Sequence, residues 1–265
     1  MGLSVNTNTT AASSARMLNI NHAQLQKSLT RLSTGKRINS PADDAGGLAV
    51  SMKMSAAIRR NSAVQNNVSN AIAYLQTQDG AMQTFGDILT RISELKMMHQ
   101  DVTKSDSDKG NYDTEYKQLL EQLNNLKAEK FNGVTLFGAA LANVAITEDG
   151  GQTVAVQKIT VVSTVLKAVS KASIGALAID DITTAIADIA TKRATNGASS
   201  NRFQYALDML SINKVNLEAA NGRILDADIA AESTEFAKLQ ILSQANSAML
   251  AQANSLPQAA ARLIS

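Results

Sequence analysis

The sequence predicts a mainly α protein: a long coiled-coil-like helical hairpin built from the two chain ends, and a rod-shaped helical bundle with a small β-hairpin region between them. Two observations carry this prediction. Hydrophobic residues recur at steps of three, four and seven over long stretches near both ends. Of 265 residues, 45% are hydrophobic yet only 3% aromatic, with no Trp and two Pro. Rings that fill a thick core are nearly absent, whereas small aliphatic side chains suit seams in which each helix buries a single stripe.

Taken in order, Thr10 to Gly35 places Leu18, Leu25, Leu29 and Leu32 on one expected stripe, with Gly35 as the helix stop. The stretch RINSPADDAGGLAVS, Arg37 to Ser51, interrupts the pattern. Pro41 biases Ser40 away from helical geometry, Asp43 or Asp44 starts a new turn, and Gly46 and Gly47 allow close packing or a bend. A second periodic run from Ile58 through Val68, Leu75, Met82, Leu89 and Leu95 to about Val102, roughly 65 Å at 1.5 Å per residue, predicts a helix over 45–103. KSDSDKGNYD, Lys104 to Asp113, reads as a turn, and Tyr116, Leu119, Leu123 and Leu126 predict a helix over 112–129. Region 131–165 is assigned to β-hairpin structure, from the alternation in VAITEDGGQTVAVQKITVV around Asp149-Gly150-Gly151. Helix returns over 181–222, with a break expected at Asn196-Gly197. The last stripe runs through Leu239, Leu242, Met249, Ala253 and Leu256, and Pro257 is expected to end or bend it. The expected division is 1–40 and 223–265 as the two halves of an inner unit, and 41–222 as an outer one.

Several chemistries find no support. His22 and His99 lie in no metal-ligand spacing, and no phosphate-cradling glycine pattern occurs. Adjacent Asp43 and Asp44 read as helix-capping residues, since no His, Cys or third carboxylate accompanies them. Met52, Met54, Met82, Met97 and Met98 read as adaptable seam filler. A formal charge of +2 and zero Cys argue against nucleic acid as a partner and against a disulfide or thiolate metal site. The start MGLSVNTNTT has neither the basic residues nor the apolar stretch of a cleaved signal, and Asn6 does not fit the myristoylation pattern that Gly2 suggests. No run approaches the ~18 to 20 apolar residues of a membrane span. No enzyme, cofactor, metal or membrane insertion is expected.

Four blocks carry a family resemblance: LQKSLTRLSTGKRINSPADDAGGLAVSMKM (Leu25 to Met54), KFNGVTLF (Lys130 to Phe137), NRFQYALDML (Asn201 to Leu210) and GRILDADIAAESTEFAKLQILSQANSAMLAQANSLPQ (Gly222 to Gln258). In type and order they resemble bacterial flagellin, the subunit of the flagellar filament. Gly46 departs from the family's usual alanine. The resemblance implies a minimal form without variable outer domains, because only about fifty residues lie between FNG and the returning helix. It implies a homopolymer assembled through core positions Leu18, Leu25, Leu29, Leu32, Leu239, Leu242, Met249 and Leu256. Pro41, Asp43, Asp44, Gly46 and Gly47 then form an interdomain joint.

It further implies export through the flagellar secretion apparatus to an extracellular filament. An export chaperone would cover the C-terminal helix, and filament cap and hook–filament junction proteins would be partners. Recognition by a vertebrate Toll-like receptor is implied through Arg91, Leu95 and Glu115, although Thr90, Ser93 and Lys96 depart from the usual pattern. The competing readings are a hook–filament junction protein, a secreted coiled-coil protein that inserts in host membranes, and an enzyme on a helical scaffold.

Overall fold

A computed structural model describes residues 7–138, 143–156 and 159–264, without the side chains of 161, 163–164 and 256–264. Gly2, Asn6 and the Leu256 side chain therefore lie outside what is described. The helices are α1 (Thr9–Thr34), α2 (Ala45–His99), α3 (Asp106–Lys127), α4 (Val161–Val169), α5 (Ile179–Leu225) and α6 (Ile229–Ile264). The strands are β1 (Lys130–Phe131), β2 (Val134–Thr135), β3 (Val144–Ala145) and β4 (Thr153–Val154). The chain divides into two compact units, one of residues up to Ala56 together with Leu217 onward, the other Ala57–Asn216. The boundaries expected at 40/41 and 222/223 fall within the first unit.

The second unit has a continuous core. One face of α2 contributes Val68, Leu75, Met82, Phe85 and Leu89, all at or near zero exposure. Tyr116 and Leu123 of α3 and Ile182, Ile189 and Phe203 of α5 join them in the same cluster. Polar ties fix the register of these elements. Asn196 Nδ2 donates to the Leu75 carbonyl at 2.8 Å, and Arg193 grips Asp79 with two 3.0 Å hydrogen bonds. α5 consequently runs unbroken through Asn196-Gly197, against the break expected there. A glycine's helix penalty of about 1 kcal/mol is small beside the burial on either side of it.

Three further expectations are corrected. α3 starts at Asp106, inside the segment read as a turn, because Ser105 and Asp108 form a reciprocal capping box. At the end of the region assigned to β-hairpin structure, 131–165, the chain is helical from Val161 and stays so to Val169; its valines bury one face against the core at Val162, Val165 and Val169, so packing overrides β-propensity. α6 passes through Pro257 without ending.

FNGV, Phe131 to Val134, whose Asn-Gly pair favours a tight turn, makes a hairpin of its own. β1 and β2 pair antiparallel, Phe131 opposite Val134, around Asn132 and Gly133 at φ 48° and 81°. Two positive φ values are what a two-residue loop between twisted strands requires. β3 and β4 form the second short pair, Val144 opposite Val154.

Candidate assembly surface

In the first unit, α1 and α6 pack antiparallel along their length. Asn8 Nδ2 donates to the Ala253 carbonyl at 2.8 Å at one end. At the other, Arg31 Nη1 lies 3.5 Å from Glu232 Oε2. On α6 the sheltered positions are Glu232, Phe236, Leu239, Ser243, Asn246, Leu250 and Ala253. These alternate steps of four and three, the signature of a heptad seam. On α1, the half-buried Leu18, Leu25 and Leu32 alternate with Ser14, Asn21 and Ser28. Polar residues thus occupy every other position of the α1 stripe, Ser243 and Asn246 interrupt that of α6, and the seam is thin. Ser14, Ser28, Leu239 and Ala253 are its only fully buried described positions.

The heptad step from Leu239 leads to Ser243, so Leu242 stands one residue, about 100° of rotation, off the seam. Met249 lies seven residues further along the same off-seam line. Leu29 is likewise next to seam residue Ser28. Their exposures are 39% for Leu242, 61% for Met249 and 54% for Leu29. The sequence places these three on the helix-pairing stripe, and the structure corrects this: Leu242 and Met249, each one residue before an α6 seam position, share one flank of the antiparallel pair, Leu29, one residue after an α1 seam position, lies on the other, and α1 and α6 do not cover these side chains for each other. Met17 and Ile20 of α1 and Ile241 of α6 are also exposed.

The break after α1 closes this unit at one end. Gly35 adopts φ 69° and caps α1 with its N–H on the Arg31 carbonyl. The chain then pairs with the α5–α6 corner. Arg37 N–H donates to Leu225 O at 2.6 Å and Ala227 N–H to Gly35 O at 2.9 Å. Asp44 and Asp43 divide the work. Asp44 Oδ1 accepts from Gly47 N–H at 2.8 Å, the N-cap contact of α2. Asp43 ties the preceding turn, accepting from the N–H groups of Asn39 and Ser40 and meeting Lys27 Nζ at 2.6 Å. Pro41 sits exposed in that turn.

The Lys27 ammonium, followed by the Asn39 and Ser40 N–H groups, holds the Asp43 carboxyl well below the usual carboxylate range. Its ionised form is favoured in the fold, so its contribution is present above the unfolded value of about 4 and is lost as pH falls from there through the folded value. Asp43→Asn is expected to lower stability at pH 7 and to flatten the acid limb below about pH 4. Thermal melts across pH check this; an unchanged acid limb would contradict it.

The two glycines differ. A Cβ on Gly47 would overlap Asp44 Oδ2 and stand 2.9 Å from Ile38 Cδ1, whereas one on Gly46 meets only Asp44 Oδ1 at 3.6 Å. Gly46→Ala is expected to be neutral or to stabilise by up to ~1 kcal/mol. Gly47→Ala displaces the cap and is expected to cost about 1 to 2 kcal/mol. Equal melting temperatures for the two variants would refute the distinction.

Comparison with known proteins bears on this surface. A family described as bacterial flagellin N-terminal helical region matches residues 5–141, and one described as bacterial flagellin C-terminal helical region matches residues 179–264. The chain belongs to the bacterial flagellin family. It is 34% identical to a flagellar filament 30.7 kDa core protein of Treponema maltophilum over 98% of its own length and 99% of that protein. Identity to a flagellin of Halalkalibacterium halodurans is also 34%, over 98% of the chain and 99% of the relative. The crystal structure of Bacillus cereus flagellin superposes with a TM-score of 0.50 at 25% identity, covering 59% of the chain and 94% of that structure. As a member of this family the chain is a structural subunit of the flagellar filament, and its relatives are structural proteins rather than known enzymes.

Within that family assignment, the three residues expected at an immune-receptor contact separate. Arg91 Nε meets Glu115 Oε1 at 2.7 Å, and Arg91 Nη1 meets Glu94 Oε2 at 3.0 Å. Both Arg91 and Glu115 remain partly exposed. The side chain of Leu95 has no exposure, so it is a core residue, and its expected surface role is corrected. The reason is phase: Leu95 continues the buried run Leu89 and Ile92 by one helical step, while Arg91 lies on the flank.

Sequence reasoning also missed Lys96, which is buried and donates to the carbonyls of Ile174 and Gly175 at 3.1 and 3.0 Å. It thereby ties α2 to the 3₁₀ turn Ile174–Ala176. No periodicity marks it, because its partners are backbone atoms in an irregular loop.

Proposed function

We propose that the chain polymerises into the flagellar filament through the apolar surface left uncovered on α1 and α6, with Leu29, Leu242 and Met249 meeting neighbouring subunits. The observation that carries this reading is the exposure of these large apolar side chains on both flanks of the seam. A thin, partly polar seam is flanked by large apolar side chains in water, and covering them with another copy relieves that exposure. The contact is heterologous, one patch meeting a different patch, so the polymer grows as an open helix. The expected result is filaments from purified full-length protein by electron microscopy, and none after removal of 229–265, whose product keeps the helical signal of the second unit. Filaments formed by that truncation would overturn the reading.

The same uncovered α6 face accounts for an export chaperone as partner before assembly. Export by the flagellar secretion apparatus to an extracellular filament, with cap and hook–filament junction proteins at its ends, completes the reading. Complementation of a strain lacking filament separates it from a junction protein, which would restore no filament. Toll-like receptor recognition is retained only through the exposed Arg91–Glu115 pair. Receptor reporter cells should respond to micromolar monomer, and less to Arg91→Ala; no response to the unaltered chain removes this reading.

A further inference from the structure

The chain has no Cys and nine Met, so thioethers are its only oxidisable sulfur. Methionine is ordinarily among the most buried residue types. Here Met82 is fully buried, whereas Met17, Met52, Met97, Met98, Met209 and Met249 are exposed. The reading of Met52, Met97 and Met98 as seam filler therefore fails. Two exposed thioethers occupy equivalent places on the first unit: Met17 immediately precedes seam residue Leu18, and Met249 immediately precedes seam residue Leu250. At 57% and 61% exposure, neither side chain is covered by the α1–α6 pair.

We propose that Met17 and Met249 are oxidation sites through which a peroxide controls assembly of the free subunit. The inference rests on the reading that these faces contact neighbouring subunits. The sulfur lone pair attacks one oxygen of hydrogen peroxide, an S–O bond forms as the O–O bond breaks, and the proton on the attacked oxygen passes to the departing hydroxide, which leaves as water. The thioether is oxidised by two electrons to the sulfoxide and the peroxide is reduced. The product is polar and a strong acceptor. In the monomer it is hydrated at no loss, but burial against an apolar neighbour removes that hydration without replacing its hydrogen bonds. Oxidation therefore weakens the subunit contact while leaving the fold alone, and an assembled filament shields the same sulfurs. Reductases acting on methionine sulfoxide reverse the change.

The experiment treats full-length monomer with hydrogen peroxide, maps sulfoxides by peptide mass spectrometry and measures the critical concentration by sedimentation. Expected are sulfoxides at Met17 and Met249 ahead of Met82, a rise in critical concentration on the order of tenfold or more, and recovery after sulfoxide reductase treatment. A variant with Met17→Leu and Met249→Leu, compared with its own untreated critical concentration, should show no rise on peroxide treatment. One with Met52→Leu, Met97→Leu, Met98→Leu and Met209→Leu should stay as sensitive as the unaltered chain. If the first variant does not assemble, the reductase arm on the unaltered chain decides.

An unchanged critical concentration after oxidation, or no recovery with reductase, overturns the inference. When Met17 and Met249 are nevertheless protected in filaments, the assembly-surface reading survives that loss. Equal oxidation of both sulfurs in filament and monomer removes that reading and the inference together.

Discussion

Replacing Leu242 and Met249 together by lysine is expected to abolish filament formation at concentrations where the unaltered chain polymerises. Both side chains are exposed in the single chain, so the substitution removes little from the fold. Fully burying an exposed side chain of this size contributes about 1.5 to 3 kcal/mol, and with Leu242 39% and Met249 61% exposed the pair has roughly one such side chain left to bury, about 1.5 to 3 kcal/mol per subunit contact. At about 1.4 kcal/mol per factor of ten, that raises the critical concentration by ~10-fold to 100-fold, before the cost of desolvating the new ammonium groups is added. Sedimentation and electron microscopy read the loss. Circular dichroism should be nearly unchanged, because the seam residues Leu239, Ser243 and Leu250 are untouched. Normal filaments from the double variant would exclude this stripe as a subunit contact.

Leu95→Ala is expected to destabilise the second unit by about 2 to 5 kcal/mol, the range for truncating a buried leucine. Leu95 has no exposed surface and belongs to the cluster that also holds Leu89, Ile92 and Tyr116. Arg91→Ala, one turn earlier, removes a partly exposed ion pair with Glu115. Solvent screens such a pair, so its loss should be much the smaller of the two. Chemical denaturation of the two variants separates a packing residue from a surface one. Similar stabilities would mean that Leu95 is not a core residue. Any loss of receptor response in Leu95→Ala must therefore be weighed against unfolding, whereas a loss in Arg91→Ala reports on the surface.

The long helices are legible in the sequence because their signal is redundant. The run Val68, Leu75, Met82, Leu89 repeats every seven residues, and no local exception shifts its phase. Gly35 as a stop and an aspartate at the start of α2 are legible for a different reason. Helix ends leave backbone groups unpaired, and few residue types satisfy them. Asn196-Gly197 and Val161–Val169 mislead because their local preferences are weak beside the burial of neighbouring side chains. The short loops are legible only at Asn132-Gly133, where two positive φ values demand particular residues.

The assembly surface is half legible. Leu18, Leu25, Leu29 and Leu32 look equivalent in sequence, as do Leu239, Leu242 and Met249. Alternating steps of four and three admit only some of each set to the seam, and which ones depends on how the partner helix is docked. Asn8 with Ala253 and Arg31 with Glu232 set that docking through contacts more than 200 residues apart. Periodicity along one helix defines an apolar arc but not the line within it that meets the partner.

Residue order is enough to establish that the chain is mainly helical, that its ends pair, and to which family it belongs, because those follow from repeated local patterns and from motif text. Folding in three dimensions settles which leucines are covered, that Leu95 is core, that Gly47 rather than Gly46 must lack a side chain, and that Met17 and Met249 face water. Each of these depends on the distance to an atom of another residue in the folded chain, and residue order does not carry that distance.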